Sequence, residues 1–199
     1  MNRLSGMIGA AALMAAASAA NAGIMFSNVN LSPEWADHIE VVTSDQDIDF
    51  FFDSDVSIID GQPQAVIRIG ITYEAWGMNM DITQDTLVVS VLGGLLGSGT
   101  MIFNEVIEDL EATSADQVTL VDYGVTLTAD DDLPHVAQLM FARPAQHIKV
   151  KKTITLLAPD LNEGIDLAAI SLVEQRLIPT PGAMALMGLG GLVASRRRR

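Results

Sequence analysis

The chain of 199 residues contains no cysteine, so it has no disulfide bond, no thiolate metal site and no cysteine nucleophile. Positive charge is also scarce, because 11 lysine and arginine residues stand against 25 aspartate and glutamate residues. The formal net charge of −14 opposes binding to nucleic acids and to anionic lipid surfaces. Divalent cations are the natural counterions of such a chain.

Motifs that support catalysis are also missing. The glycine-rich stretch from Gly93 to Gly99 lacks the Gly-Lys-Ser/Thr ending of a phosphate-binding loop, and no Gly-x-Ser-x-Gly nucleophile elbow occurs. The three histidines, His38, His135 and His147, do not have the spacing of metal ligands. A chain of this size without cleft-forming insertions also disfavours a glycoside-hydrolysing pair of carboxylates. We therefore expect a protein that is not an enzyme.

The first 22 residues have the features of a secretory signal peptide. Arg3 gives a weakly positive start, and an alanine-rich apolar run follows from Met7 to Ala20. Residues 20–22 (Ala-Asn-Ala) then form the small-x-small pattern that precedes a cleavage site. We predict export of the protein, with cleavage after Ala22 and residues 23–177 as the mature domain.

The C-terminal end, residues 178–199, differs in composition from the rest. Pro179 and Pro181 lack backbone N–H groups and separate this end from the preceding domain. An apolar run follows from Ala183 to Ala194, which is shorter than the roughly 20 residues of a full membrane span. The arginines at residues 196–199 favour the cytoplasmic side of a membrane. These features predict a short transmembrane helix that crosses only a thin bilayer.

This end of the chain resembles a bacterial PEP-CTERM sorting signal. The resemblance is carried by Pro179, Thr180, Pro181 and Gly182 and by Arg196, Arg197, Arg198 and Arg199. In that family a Pro-Glu-Pro element precedes a short transmembrane segment and an arginine-rich end, and Thr180 stands here in place of the glutamate. The resemblance implies transient anchoring in the inner membrane, recognition by an exosortase-type sorting enzyme, and release or anchoring at the cell surface. It also implies an association with exopolysaccharide.

The body of the chain predicts an all-β fold. The clearest strand is Gln64–Tyr73, where Ala65, Ile67, Ile69 and Ile71 fall on one face. Met101–Ile107 is ambiguous, since Asn104–Glu111 also has apolar residues at helical spacing. The other predicted strands are Ile39–Thr43, Asp47–Phe52, Asp55–Asp60, Thr86–Leu92, Gln117–Thr128, His135–Ala142, His147–Leu157 and Ile165–Leu177. Short strands separated by turn signals favour an antiparallel β-sandwich, either jelly-roll or immunoglobulin-like.

An acidic segment near the start of the body is a candidate metal site. Asp45, Asp47 and Asp49 alternate, so on a strand they point to the same face. Calcium takes six to eight oxygen ligands, carboxylates among them, and would relieve the repulsion between the three side chains. The segment does not match an EF-hand loop, and a solvated outer strand face is the alternative interpretation.

Aromatic and basic residues give two further hypotheses. Tyr73 and Trp76 lie at a strand end and, if both are exposed, would form a platform for sugar rings, whereas a tryptophan that closes the end of a sandwich is the alternative. Lys149, Lys151 and Lys152 indicate either an edge strand protected by charge or a surface that docks an anionic polysaccharide.

Together these observations favour an exported, non-catalytic protein of the cell surface or extracellular matrix, associated with exopolysaccharide. The alternative is a carbohydrate-binding module that depends on calcium. The expected partners are the sorting enzyme, the inner membrane before processing, and extracellular polysaccharide. We expect no cofactor other than calcium.

Overall fold

The computed structural model describes residues 23–59, 66–90, 94–115, 118–159 and 164–180. These residues form thirteen strands and a single 3-10 turn, Ala36–His38, and contain no α-helix, which confirms the all-β prediction. None of the described segments is a helix long and apolar enough to cross a membrane. The predicted signal peptide and residues 181–199 of the predicted sorting signal lie outside the described residues.

Two five-stranded antiparallel sheets make up most of the domain. The first sheet has the order β1 (Ile24–Leu31), β5 (Val66–Gly77), β11 (His147–Leu157), β8 (Thr100–Asp109) and β9 (Thr119–Thr128). The second sheet has the order β10 (His135–Ala145), β6 (Ile82–Ser90), β13 (Leu172–Pro179), β3 (Asp47–Phe52) and β2 (Ile39–Thr43). A small third sheet joins β4 (Ser57–Ile59), β12 (Leu167–Ala169) and β7 (Leu95–Leu96).

The two large sheets pack face to face as a β-sandwich around one hydrophobic core. In β5, Ile69 and Ile71 are fully buried while Val66 and Arg68 on the other face are exposed, as the alternation of the sequence predicts. Rings from the two sheets meet in the middle, where Phe50 of β3 lies 5.9 Å from Tyr73 of β5, between ring centroids.

Three local predictions are corrected. The ambiguous segment is strand β8, because Met101, Phe103 and Ile107 alternate into the core with period two rather than at helical spacing. Residues 143–146, where Pro144 predicts a turn, are strand until Ala145, with a register shift between Met140 and Ala145. Gly124 within the long strand predicts a β-bulge at that position, but the register shift of β8 against β9 lies next to Ile107 instead.

The prediction of an edge strand at residues 147–157 is wrong. Strand β11 is the central strand of the first sheet and pairs with β5 on one side and β8 on the other. Because neighbouring residues of a strand point to opposite faces, Lys151 faces solvent and pairs with Glu108 at 2.6 Å, while Lys152 points into the core. The three lysines therefore do not form one basic surface.

The domain extends beyond the predicted boundary at residue 177. Ile178 and Pro179 still pair with β6, and the backbone N–H of Thr180 donates to the carbonyl of Asp81 at 2.7 Å. Pro179 is the last residue of β13, where a missing N–H does not interrupt the ladder. The first two residues of the predicted sorting motif therefore belong to the folded domain.

Candidate functional site

The predicted sugar platform of Tyr73 and Trp76 is wrong for Tyr73. Both residues lie on β5, which continues to Gly77, and an odd separation of three places them on opposite faces of the strand. Tyr73 is fully buried and its hydroxyl donates to the side chain of Gln175. A buried ring has no free face for a sugar.

Trp76 is 40% exposed on the outer face of the first sheet. One face of its ring stacks on His147, with centroids 4.8 Å apart and planes inclined by 16°. His147 also contacts Glu74, with 3.3 Å between Nε2 and Oε2. Met25 of β1 and His147 of β11 lie directly opposite Trp76 on its two sides. Sugar binding by Trp76 stays a prediction.

The predicted calcium ligands Asp45, Asp47 and Asp49 do not bring three ligand atoms within 4.8 Å of one another. Asp45 precedes β3 and lies off the strand, whereas the Oδ1 of Asp47 faces the Nε of Arg176 at 3.3 Å. Asp49 lies opposite Glu174 of β13. Burial, then the charges of Glu174 and Asp47, raise the pKa of Asp49. The grouping of these three aspartates as metal ligands is therefore wrong.

A surface cleft lies elsewhere, beside β5. Strand β1 ends at Leu31, opposite Ile71, so the first residues of β5 continue beyond it and have no neighbouring strand on that side among the described residues. The connection from β1 to β2 folds over this edge and leaves a cavity of about 630 Å³. The cavity, called the Trp35 cleft below, is lined by Glu34, Trp35, His38, Val66, Ile67 and Arg68.

Backbone hydrogen bonds fix the connection that carries Trp35. The N–H of Ser32 donates to the carbonyl of Gly70 at 2.9 Å, and the N–H of Gly70 donates to Oγ of Ser32 at 2.7 Å. The N–H of Trp35 donates to the carbonyl of Ser32 at 2.9 Å, and that of His38 donates to the carbonyl of Trp35 at 3.0 Å. The backbone at Trp35 is therefore fixed on a short turn clamped to β5, and the indole packs partly against the core.

The lining of the Trp35 cleft is amphipathic. The half-buried indole of Trp35 lies 5.9 Å from the ring of His38, between centroids, at an angle of 58°. Glu34 and Arg68 are exposed and offer an acceptor and five N–H donors. An aromatic face flanked by polar side chains can stack on an apolar ring face and hydrogen-bond to its hydroxyl groups.

One margin of the cleft carries a group that can hold a metal ion. His38, Asp53 and Asp55 each offer one ligand atom, and these atoms lie within 4.8 Å of one another. The β2–β3 hairpin brings them together, since Ile39 pairs with Phe52 and the residues just outside that pair meet. Imidazole with carboxylates suits a transition metal better than calcium, which prefers oxygen ligands.

Electrostatics couple His38 to Asp53. His38 Nδ1 lies 2.9 Å from Asp53 Oδ2. This hydrogen bond raises the pKa of His38 and lowers the pKa of Asp53. Sequence spacing alone did not reveal the pair, because the two residues are 15 positions apart. The short interval between the predicted strands Ile39–Thr43 and Asp47–Phe52 was the signal that could have found it, because two strands joined by three residues commonly form a hairpin.

No protein-family model matches the chain, and no curated protein does. Among solved structures, a carbohydrate-binding module, TmCBM61, in complex with β-1,4-galactotriose aligns with a TM-score of 0.36 and 8% sequence identity. The alignment covers 76% of this chain and 88% of that chain. Similarity at that level says nothing about what this chain binds.

Proposed function

We propose that the protein is an exported, non-catalytic protein of the cell surface or extracellular matrix whose sandwich domain binds a neutral polysaccharide in the Trp35 cleft. Export and sorting are supported by the two ends of the sequence, with a signal peptide over residues 1–22 and a PEP-CTERM-like signal with a short membrane helix at the C-terminal end. Binding is supported by the geometry of the cleft.

The single observation that carries the binding proposal is the composition of the cleft. A half-buried tryptophan held by backbone hydrogen bonds lies beside exposed Glu34 and Arg68, around a volume of about 630 Å³. Ligand sites typically have volumes of about 300–1,000 Å³ and combine apolar surface with a few polar groups.

Charge favours a neutral polysaccharide over an anionic one. The chain has a net charge of −14, so a polyanion is repelled at long range. Of the three lysines that would attract an anionic polymer, Lys151 pairs with Glu108 and Lys152 is buried. Lys149 lies opposite two acidic residues in the sheet, Glu74 of β5 and Glu108 of β8. Arg68 is the one lining residue of the cleft with a permanent positive charge.

Dependence on a divalent cation is a second part of the proposal. His38 belongs both to the cleft and to the group with Asp53 and Asp55, so an ion bound there would fix a wall of the cleft. Binding measured with and without a chelator tests this part. Equal affinity with and without the chelator would contradict the need for a metal ion, whereas polysaccharide binding in the Trp35 cleft would still stand.

Affinity electrophoresis in gels that contain a neutral glucan, galactan or mannan tests the binding proposal. The variant Trp35→Ala is expected to lose roughly 5- to 150-fold in affinity, because removal of a central aromatic contact costs on the order of 1–3 kcal/mol. Trp76→Ala is the matched control, since it removes the other tryptophan, and it should bind as the wild type does. Thermal melting of both variants checks that they are folded.

Retardation of the Trp35→Ala variant equal to that of the wild type would contradict the proposal. A loss of affinity seen only in the Trp76→Ala variant would show that the binding site lies at Trp76, on the outer face of the first sheet. Retardation only in gels that contain an anionic polymer such as alginate would contradict the choice of a neutral ligand.

A further inference from the structure

Five polar side chains lie in the centre of the sandwich, where an apolar core is expected. They are Tyr73, Asp85, Glu105, Lys152 and Gln175, and each has an exposed fraction of 1% or less. The first sheet contributes Tyr73, Glu105 and Lys152, and the second sheet contributes Asp85 and Gln175. Burial of so many polar groups is costly unless they are mutually satisfied, so the contacts among them are informative.

Lys152 and Glu105 are in direct contact at the middle of this cluster. They lie directly opposite each other in the ladder between β11 and β8, and both point inward. Nζ of Lys152 donates to Oε2 of Glu105, and neither side chain is accessible to solvent. The ring of Phe103 lies 5.4 Å from Nζ, so one side of the amine faces an aromatic ring rather than water.

Asp85 approaches the same carboxyl group from the facing sheet. Burial, together with the charge of Glu105 and a side-chain hydrogen bond to it, raises the pKa of Asp85 well above its ordinary value. Its Oδ1 is buried and has no hydrogen-bond donor among the described residues, whereas Oδ2 accepts from Nε2 of Gln175 at 2.5 Å. A proton shared between the two carboxyl groups satisfies both of them.

The side chain of Gln175 bridges the carboxyl groups of Asp85 and Glu105. Its Nε2 donates to Oε1 of Glu105 at 3.0 Å as well as to Asp85, and its carbonyl accepts from the hydroxyl of Tyr73. The arrangement thus contains an amine, a carboxyl group in contact with it, and a second buried carboxyl group, Asp85, whose raised pKa favours its protonated form. These are the components of an amide condensation in a site that excludes water.

We propose that the side chains of Lys152 and Glu105 are joined by an intramolecular isopeptide bond, formed with Asp85 as the proton-transferring residue. Proximity in the folded core replaces the encounter of two separate molecules. Conversion of the buried ion pair to an amide also removes two charges from the core, where their desolvation is unfavourable.

The condensation needs no oxidant, reductant or co-reactant. Lys152 first passes one proton to Glu105, which leaves a neutral amine beside a neutral carboxylic acid. The amine lone pair then attacks Cδ of Glu105 and forms the C–N bond. Asp85 gives its proton to the departing hydroxyl group and accepts one from the nitrogen, so it ends unchanged. The products are one amide and one water molecule.

The bond would tie β8 to β11 at the centre of the first sheet, between residues 47 positions apart. It would supply the covalent cross-link that a chain without cysteine cannot obtain from a disulfide. Cross-links of this kind restrict the unfolded chain and keep a protein folded outside the cell.

Mass spectrometry of the purified full-length protein tests the inference. The intact mass is expected to fall below that calculated from the mapped termini by one water molecule. Peptide mapping should yield a branched peptide that joins the segments containing Glu105 and Lys152. Lys152→Arg removes the nucleophile and should restore the full mass. Lys151→Arg, at the solvent-facing neighbour, is the matched control and should keep the deficit.

Two results would overturn the inference. The first is a wild-type protein with its full calculated mass, a result that does not depend on whether any variant folds. The second is a loss of ammonia rather than water, with the branch mapped to Gln175, because the acyl group would then come from the carboxamide. A slower appearance of the deficit in Asp85→Asn supports the role of Asp85, and an unchanged rate contradicts that role.

Discussion

His38 lines the Trp35 cleft and also belongs to the candidate metal-binding group of His38, Asp53 and Asp55. Its hydrogen bond to Asp53 raises its pKa, so the stabilisation it contributes is complete below its ordinary value of 6.5 and is lost as pH rises through the raised value. Asp53 has a lowered pKa, and its contribution is lost as pH falls below its ordinary value of 3.8 through the lowered one. The hydrogen-bonded pair of His38 and Asp53 therefore stabilises the fold most between pH 3.8 and pH 6.5, the ordinary pKa values of the two groups.

An NMR titration of the histidine ring protons tests this coupling. The midpoint for His38 is expected above 6.5, and Asp53→Asn should lower it, because the variant removes the charged acceptor. Asp122→Asn, at an exposed aspartate of β9, should leave the midpoint unchanged. A midpoint that does not respond to Asp53→Asn would show that the hydrogen bond is absent in solution.

The burial of a side chain was predictable from the sequence only where the alternation and the bounds of its strand were clear. Regular alternation placed Ile69 and Ile71 in the core correctly. A sugar platform at Tyr73 required the side chain to be exposed at the end of the predicted strand, but the strand continues to Gly77 and Tyr73 is buried within it. Lys151 and Lys152 are neighbours on one strand, so one of them had to point inward once β11 became central. Strand order is a long-range property, and local sequence does not determine it.

Among the elements, β13 decides where the folded domain ends. It lies between β6 and β3 in the second sheet, and its Leu177 is fully buried. Pairing with β6 continues through Pro179. The predicted sorting signal therefore begins inside the last strand, and a cut at the predicted boundary of residue 177 removes part of a central ladder.

Two truncations separate the domain from the signal that follows it. A chain that ends at Thr180 should melt at the same temperature as the full chain but should no longer be retained at the cell surface. A chain that ends at Arg176 lacks Leu177 and should lose about 2–5 kcal/mol of unfolding free energy, because a buried side chain and its ladder bonds are removed. Thermal melting and cell fractionation measure the two effects. If the chain that ends at Thr180 does not fold, residues after Thr180 are part of the folded domain.

Strands were more predictable than the connections between them. The strands β2, β3 and β11 have the predicted bounds, since alternation and flanking turn residues mark them clearly. The Trp35 cleft was not predicted, because it depends on β1 ending before β5 does and on the turn that covers the exposed edge. No local pattern encodes the difference in length between two paired strands.

At the scale of the whole molecule, the acidic chain presents a sandwich whose core holds a buried polar cluster and whose surface carries the Trp35 cleft. The charge keeps the protein soluble and repels polyanions. The covalent bond proposed in the core and the ligand proposed for the cleft lie in separate regions, so either can fail without the other. The central claim is that the cleft binds a neutral polysaccharide.

The two tryptophans of the chain allow a direct measurement of that claim. Trp76→Phe leaves Trp35 as the sole indole, and Trp35→Phe leaves Trp76. Titration with oligosaccharides of a neutral glucan, galactan or mannan should shift the fluorescence emission of the Trp76→Phe variant and leave that of the Trp35→Phe variant unchanged. A shift confined to the Trp35→Phe variant, or emission unchanged in both variants across the panel, would contradict the claim.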